Sequence, residues 1–250
     1  MEAGAGAREP GVEPKGRSRT TVKVETVLAG RPVPFGRPGV LSAIAKRPLE
    51  GPVEVGPSGL LLDEQGDPRH HGGPEKAIHH YALDHYPYWR AELAPAAPSC
   101  LEAPGAFGEN LSTRGLTEAD MCVGDVWRLG TVLLQVSQAR QPCWKLNHRF
   151  GVLDMVLRVQ ASGRTGWYYR VLEPGRIAPA DTLMLVERPH ADWPLSRLLR
   201  TFYVDRLNRP ALEGIKALEL LSASWRDLAA RRLERGEVED WTRRLEGPDS

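Results

Sequence analysis

The sequence predicts a mainly β protein: a barrel of short strands with flanking helices, followed by a small α-helical subdomain at the C-terminus. Glycine (25) and proline (21) are both abundant in the 250 residues, which is typical of a chain with many turns. Up to Pro189, short extended runs with few strand–helix alternations favour a barrel over a doubly wound parallel sheet. After Pro189 the apolar residues recur with helical periodicity.

Composition limits the function classes. A hydrophobic content of 41% and a charged content of 26% are those of an ordinary globular protein. The net charge of +1 gives no overall field that would attract nucleic acid or an anionic membrane. The three cysteines are odd in number and have no CxxC spacing, which argues against a disulfide scaffold and a structural zinc site. With no apolar leader or membrane-length apolar run, we expect a cytoplasmic location in which a free thiol persists.

The first elements are extended. Residues 1–20 are predicted to be a disordered leader, and residues 21–189 the barrel domain. "TVKVETVLAG", from Thr21, alternates apolar and polar side chains as a half-buried strand does. "PVEVGPSGLLLDEQ" predicts a second extended stretch with a turn.

A helix is predicted over "PEKAIHHYALDHYPYWRAEL", beginning at Pro74 and divided by Pro87. It would carry three histidines. We expect these to be surface or core-edge residues rather than metal ligands, because neither an HExxH motif nor paired acidic ligands accompany them. They are His79, His80 and His85.

The remaining elements complete the barrel and the tail. Two extended runs, Asp125 to Leu129 and Thr131 to Gln138, predict a hairpin that turns at Gly130, and "DTLMLVERP" predicts the closing strand. Residues 190–250 predict three or four short helices. Ser222 or Ser224 would begin the third helix and Gly236 would end it. Interspersed acidic residues make a solvated face the better interpretation of its arginines than nucleic-acid binding.

Two stretches carry candidate binding residues. "RHHGGPEKA" sets Gly72 and Gly73 ahead of the predicted helix, where backbone amides and the helix N-terminus could hold an anion; a tight turn is the alternative. "FGENLSTRG" contains Glu109 and Asn110, which could hydrogen-bond a polar heterocycle; a β-bulge with an Asn turn is the alternative.

The third stretch is "SQARQPCWKLN", which places Cys143 on a loop just beyond the predicted strand end. Pro142 stiffens that loop, and two nearby cations, Arg140 and Lys145, favour the thiolate form of the side chain. A lone cysteine is more often inert filler. The flanking residues are unlike those of core filler, so we favour a functional thiol.

Six motifs in this order resemble the MOSC family, named after the C-terminal domain of molybdenum-cofactor sulfurases. The likeness is greatest to its YiiM-like branch, the 6-N-hydroxylaminopurine resistance proteins. It covers about Thr21 to Pro189, and the helical tail is similar to the extra helices of that branch. The motifs are "DEQ" at Asp63–Gln65, "HGGPEKA" at His71–Ala77, "FGENLSTRGLTE" at Phe107–Glu118, "GD" at Gly124–Asp125, "QVSQARQPCWKLN" at Gln135–Asn147 and "GWYYRVLEPG" at Gly166–Gly175.

The resemblance implies a MOSC-type β-barrel whose pocket binds the molybdenum cofactor, a molybdopterin. The family cysteine falls on Cys143, which would ligate molybdenum or carry sulfur. His71 and Glu109 would be catalytic proton donors. The resemblance implies cofactor-binding roles for Arg140, Lys145, Gly72, Gly73 and Asn110.

The activity implied is molybdenum-dependent reduction of N-hydroxylated compounds, such as base analogues, as a detoxification. Its partners would be a small-molecule substrate and an external electron-donor reductase, because the chain has no flavin, nicotinamide or iron–sulfur signature. No membrane and no specific nucleic acid are expected, and a homodimer stays open. Two alternatives remain: a sulfur carrier with a persulfide on Cys143, and a cofactor-binding or delivery module without turnover.

Overall fold

The computed structural model describes residues 20–247, so the predicted leader lies outside the described residues except for Thr20. The strands are β1 (Thr21–Ala29), β2 (Val33–Pro34), β3 (Leu41–Ser42), β4 (Arg47–Pro48), β5 (Val53–Gly56), β6 (Gly59–Leu60), β7 (Ile78–Ala82), β8 (Leu111–Thr113), β9 (Val126–Leu129), β10 (Val132–Ala139), β11 (Trp167–Glu173), β12 (Gly175–Ile177) and β13 (Thr182–Glu187). The helices are α1 (Pro68–His71), α2 (Tyr86–Glu92), α3 (Lys145–Phe150), α4 (Met155–Ser162), α5 (Leu195–Tyr203), α6 (Arg209–Lys216), α7 (Ala223–Arg235) and α8 (Thr242–Glu246). Short 3-10 turns cover Pro74–Lys76, Leu83–His85 and Ser99–Glu102.

Seven strands form a closed barrel, in the order β1, β13, β9, β10, β11, β7, β8 and back to β1. Neighbours are antiparallel except for β7 and β8, which are parallel. Closure joins the first strand to the last, with Val22 opposite Leu183. This confirms the predicted mainly β fold, in which a closed barrel leaves few strand edges exposed.

Strand β1 serves two parts of the barrel because it bends. Its first residues pair with β13, and the register shifts between Val24 and Thr26 before the strand continues along β8. Such an irregularity increases the local twist and re-aims the strand. The last two residues of β1, Leu28 and Ala29, then pair with β4 and carry the 41–48 segment to the mouth of the candidate site.

The predicted long helix from Pro74 is wrong over its first half. Residues 78–82 form β7 in the barrel wall, and a helix begins only at Tyr86. All five residues of β7 are buried, so the strand lacks the apolar–polar alternation by which a strand is recognised. The three histidines predicted for one helix therefore lie on a strand and a 3-10 turn, and all are buried: His79, His80 and His85.

The C-terminal helices pack on the chain's own barrel. One cluster of buried side chains includes barrel residues such as Val136 and helical residues such as Leu198 and Trp225. Helix α7 begins after Ser222 and ends at Gly236, which adopts a left-handed conformation, as predicted. Within residues 20–247, no helix has the length and apolar character needed to cross a bilayer.

Candidate functional site

A pocket opens at one end of the barrel, where loops following several strands meet. An inner pocket of about 80 Å³ opens into an outer cleft of about 560 Å³. Cys143 and six other residues border both spaces, so the thiol lies at the passage between them. The six are Gly66, Asp67, His71, Lys76, Lys145 and Tyr168.

Cys143 lies on the predicted loop, between the end of β10 at Ala139 and the start of α3 at Lys145. Its side chain is half-buried. The Sγ atom lies 3.4 Å from Nε2 of His71, within hydrogen-bond distance for sulfur. The structure thus brings together two residues that are 72 positions apart in the chain.

His71 ends α1, whose N-terminus is capped by the carboxylate of Asp67. Burial, together with the positive charges of Lys145 and Lys76, lowers the pKa of His71 to about 3. The ring is therefore neutral near pH 7. It can hydrogen-bond the sulfur, but it does not hold the second proton that an acid catalyst would give.

Arg140 and Lys145 supply buried positive charge to the inner pocket. Each of the two residues is 6% exposed. The Lys145 Nζ atom donates to the carbonyl of Leu41 at 3.2 Å. The Arg140 Nη1 atom is buried and has no hydrogen-bond partner within residues 20–247. An unpaired buried guanidinium nitrogen is costly, so this wall suits an anionic ligand.

A polar network forms the floor of the inner pocket around Asp63. Its carboxylate forms a buried ion pair with Lys46 and accepts a hydrogen bond from Asn110 Nδ2 at 2.9 Å and one from the Gly30 amide at 2.8 Å. Burial lowers the pKa of Lys46, while the charge of Asp63 opposes that shift. Asn110 also donates to the carbonyl of Leu28 at 3.1 Å, so its amide group is used within the protein.

Glu109 lies outside the lining of the pocket, although its neighbours Gly108 and Asn110 are part of it. Its carboxylate is fully buried and accepts hydrogen bonds from the backbone amides of Gly105 at 2.7 Å and Phe107 at 3.0 Å. The Tyr86 hydroxyl donates a third at 2.6 Å. In this geometry Glu109 fixes the 105–109 turn, and its expected role as a proton donor stays a prediction.

The paired glycines also differ from the expectation. They lie between α1 and a 3-10 turn, so no long helix points its N-terminus at them. The Gly72 amide donates to the Pro68 carbonyl at 3.2 Å and is not available to an anion. Gly73 has φ +96°, a conformation that favours glycine, and neither glycine lines the inner pocket or the outer cleft.

Several lining residues escaped the sequence analysis. Asp63 lies in the motif "DEQ", to which no role was assigned, and Lys46 lies outside every motif, so no sequence pattern pointed to it. His79, expected at the surface or core edge, lines the inner pocket and has an unpaired Nε2 atom. The missed residues are Lys46, Asp63, Lys76, His79 and Tyr168. Within residues 20–247 there is no group of three or more His, Cys, Asp or Glu side chains suited to a metal ion.

Known proteins show similarity over the barrel and the helices. Residues 67–184 match the MOSC domain, and residues 193–236 match the YiiM-like, 3-alpha helix domain. Protein YiiM of Escherichia coli (strain K12) is 40% identical over 215 residues, which cover 86% of this chain and 93% of that protein. A Gibberella moniliformis (strain M3125 / FGSC 7600) protein named Reductase is 44% identical over 162 residues, which are 64% of this chain but only 28% of that protein.

A solved structure supports the fold. The crystal structure of YiiM from Escherichia coli superposes with a TM-score of 0.73 at 32% sequence identity. The match covers 89% of this chain and 98% of that one. It therefore includes both the barrel and most of the helical region.

Proposed function

The chain belongs to the MOSC family and carries the YiiM-like helical domain, and from that premise we propose that it reduces N-hydroxylated compounds with a molybdenum cofactor. The single observation that carries the proposal is that the half-buried Cys143 thiol lines the same inner pocket as Arg140, whose buried Nη1 atom has no hydrogen-bond partner within residues 20–247. A relative named Reductase supports an oxidoreductase activity.

The residues of the pocket fit such a cofactor. A metal bound here would have to bring most of its ligands with it, because the described residues offer the sulfur of Cys143 and no group of three or more His, Cys, Asp or Glu ligands. A molybdopterin brings a dithiolene, and a soft thiolate from Cys143 suits the same metal. Its phosphate would satisfy Arg140, with Lys145 adding positive charge. Asn110 would shape the pocket floor through Asp63 rather than bind the cofactor itself.

Reduction of an N-hydroxyl group requires electrons and protons from outside the substrate. Converting an N-hydroxyl group to an amine consumes two electrons and two protons and releases water. When bound, the cofactor supplies the two-electron redox chemistry at its metal. The electrons must come from an external reductase, which we propose as a partner. The neutral ring of His71 orients the Cys143 sulfur through their 3.4 Å contact, and the outer cleft admits the small substrate.

Metal and pterin analysis tests the proposal. The full chain, expressed with molybdate, should contain molybdenum and pterin in near-stoichiometric amounts. Cys143→Ala should lose the molybdenum. Arg140→Met should lose most of the pterin, because the buried guanidinium that would bind the cofactor's phosphate is removed.

Cys100→Ala is the matched control, because Cys100 is also half-buried but is not among the residues lining the pocket. It should retain the metal. Molybdenum content that is unchanged by Cys143→Ala would exclude Cys143 as a ligand. With a competent electron donor, the loaded protein should then convert a hydroxylaminopurine to the aminopurine; retention of the cofactor without turnover would instead support a binding or delivery module.

A sulfur carrier is the second candidate, favoured by the position of Cys143 between the inner pocket and the outer cleft. The Cys143 thiolate would take sulfane sulfur from an external persulfide donor, which leaves as a thiolate, and would be regenerated on passing that sulfur to an acceptor. Mass spectrometry of native protein distinguishes the two. A cyanide-labile sulfur on Cys143 without molybdenum would support the carrier. Three free cysteines are consistent with the reducing, cytoplasmic location that we propose for either activity.

A further inference from the structure

The last helix of the described chain contacts the loop that carries Cys143. The Arg244 carbonyl accepts a hydrogen bond from the Trp144 amide at 2.9 Å, and Arg244 Nη1 donates to the Pro142 carbonyl at 2.6 Å. Both residues that flank Cys143 are therefore bonded to one residue of α8. This helix lies beyond residue 236, outside both segments that match known domains.

Arg244 is itself held in place from two directions. Its Nη2 atom donates to Gln160 Oε1 on α4 at 2.7 Å. Its guanidinium also lies 5.3 Å from the ring centroid of Trp241. A planar guanidinium that donates to two acceptors is fixed in orientation, which a lysine ammonium would not be.

The residues after Arg244 fix the other side of the loop. Arg37 donates from Nη2 to the Glu246 carbonyl at 2.6 Å, and its guanidinium lies 4.8 Å from the Trp144 ring centroid. Gly247 has φ +96°, and a side chain there would approach Trp144 to 3.2 Å. The segment 244–247 thus packs directly against Trp144, the residue after the thiol.

We propose that Arg244 is a positioning residue for Cys143: its hydrogen bonds to Pro142 and Trp144 hold the thiol at the passage between inner pocket and outer cleft. The inference rests on the proposed function only in taking Cys143 as the functional thiol. A substitution of Arg244 removes the side-chain bond to Pro142 and leaves only the backbone bond to Trp144, so the 142–144 segment opens locally while the rest of the fold stays closed.

Thiol labelling in the full chain tests this, using protein from a host that lacks molybdenum-cofactor synthesis. Iodoacetamide labelling under native conditions, followed by peptide mass spectrometry, gives separate rates for all three cysteines in one sample. Cys122 is buried and pairs with Pro194 at the start of the helical region, so its rate reports opening of the whole molecule. Cys143 reports its own loop.

Arg244→Ala should raise the Cys143 rate about fivefold or more while leaving the Cys122 rate unchanged, because only the loop opens. Arg244→Lys keeps the charge but cannot make both guanidinium hydrogen bonds, to Pro142 and to Gln160, so its Cys143 rate should also rise. Arg231→Ala, an exposed arginine on α7, is the matched control and should label like the native chain.

Two results would overturn the proposal. If Cys143 and Cys122 accelerate together in Arg244→Ala, Arg244 stabilises the whole fold and not the loop. If Arg244→Lys labels like the native chain, charge and not hydrogen bonding is what matters. The labelling rates of Cys143 and Cys122 do not depend on molybdenum. The metal analysis can therefore fail while this test succeeds, and this test can fail while the metal analysis succeeds.

Discussion

Glu109 illustrates how far the sequence leads at the scale of single residues. The motif "FGEN" correctly points to the pocket wall, because Gly108 and Asn110 line it. The side chain between them points the other way, into the cluster around Tyr86 and Phe107. Spacing along the chain cannot show this, since Gly108 has φ +75° and turns the backbone at that point.

Replacing Glu109 with Gln should destabilise the fold and leave the chemistry of the pocket intact. A carboxylate that accepts from two backbone amides and a hydroxyl would be exchanged for an amide whose NH2 group faces donors. We expect a loss of about 2–3 kcal/mol in the free energy of unfolding, measured in urea.

Tyr86→Phe provides the comparison, because it removes one hydroxyl donor to Glu109 and should cost about 1 kcal/mol. Folded Glu109→Gln protein should keep its full molybdenum content. Unchanged stability together with lost turnover would restore the catalytic interpretation of Glu109.

Whether the other site residues could be predicted to lie together depends on how far apart they are in the chain. Arg140, Cys143 and Lys145 share one loop, so their proximity was predictable from the sequence alone. His71 reached the same pocket in the prediction only through the family resemblance. Residues such as Lys46 and Tyr168 come from other loops and strands, and only the closed barrel brings them there.

At the scale of elements, β1, the β9–β10 hairpin and α7 were predictable because their local signals agree with their surroundings. Strand β7 was not. It is five residues long, is buried throughout, and contains the pair His79–His80, which no strand pattern favours. Its conformation is fixed by its neighbours β8 and β11, which are distant in the chain.

The burial of β7 gives the protein a pH dependence. His80 is fully buried, with its ring nitrogens 2.8 Å from Thr113 Oγ1 and 3.0 Å from the Tyr169 hydroxyl. Burial lowers its pKa to about 3. A histidine in an unfolded chain has a pKa of about 6.5. Between these values the unfolded chain binds a proton that the native chain does not, so stability falls as the pH falls through this range.

His80→Gln should therefore flatten the dependence of unfolding free energy on pH. In the variant, the unfolded chain no longer binds one proton more than the native chain at this position. Below about pH 6.5, the slope of the unfolding free energy against pH should therefore be smaller by up to about 1.4 kcal/mol per pH unit. Urea denaturation at several pH values between about 7 and 4.5 measures it. His71, whose pKa is lowered in the same direction, should leave a residual slope. A variant with the native slope would show that His80 is not kept neutral by burial.

At the scale of the whole molecule, the barrel and the helices share one hydrophobic cluster. Polar contacts add to this packing. Arg170 on β11 donates to the Leu220 carbonyl at 2.9 Å, and the Ser222 amide donates to the Ser137 carbonyl on β10 at 2.8 Å. Helical periodicity predicted the helices, but their packing depends on contacts between distant segments that no local pattern shows.

Because of this shared core, the barrel and the helices should unfold in one transition. Trp225 is 1% exposed and packs edge-on against Phe202, with ring centroids 4.8 Å apart. Trp225→Ala should cost about 3–5 kcal/mol. Native-state hydrogen exchange should show amides of β10 and α7 losing protection together. A barrel that stays protected while α7 exchanges freely would show two independent units.

These contacts determine when each part of the chain can fold during synthesis on the ribosome. Strand β1 leaves the ribosome early, but its barrel partner β13 follows only near residue 187, so β1 waits with an unpaired edge. The loop that carries Cys143 is without its contact to Arg244 for longer still. Arg244 lies 102 residues after Pro142, and at about 5–20 residues per second it is synthesised about 5–20 s later. The thiol loop therefore reaches its final arrangement only after every strand of the barrel has been synthesised.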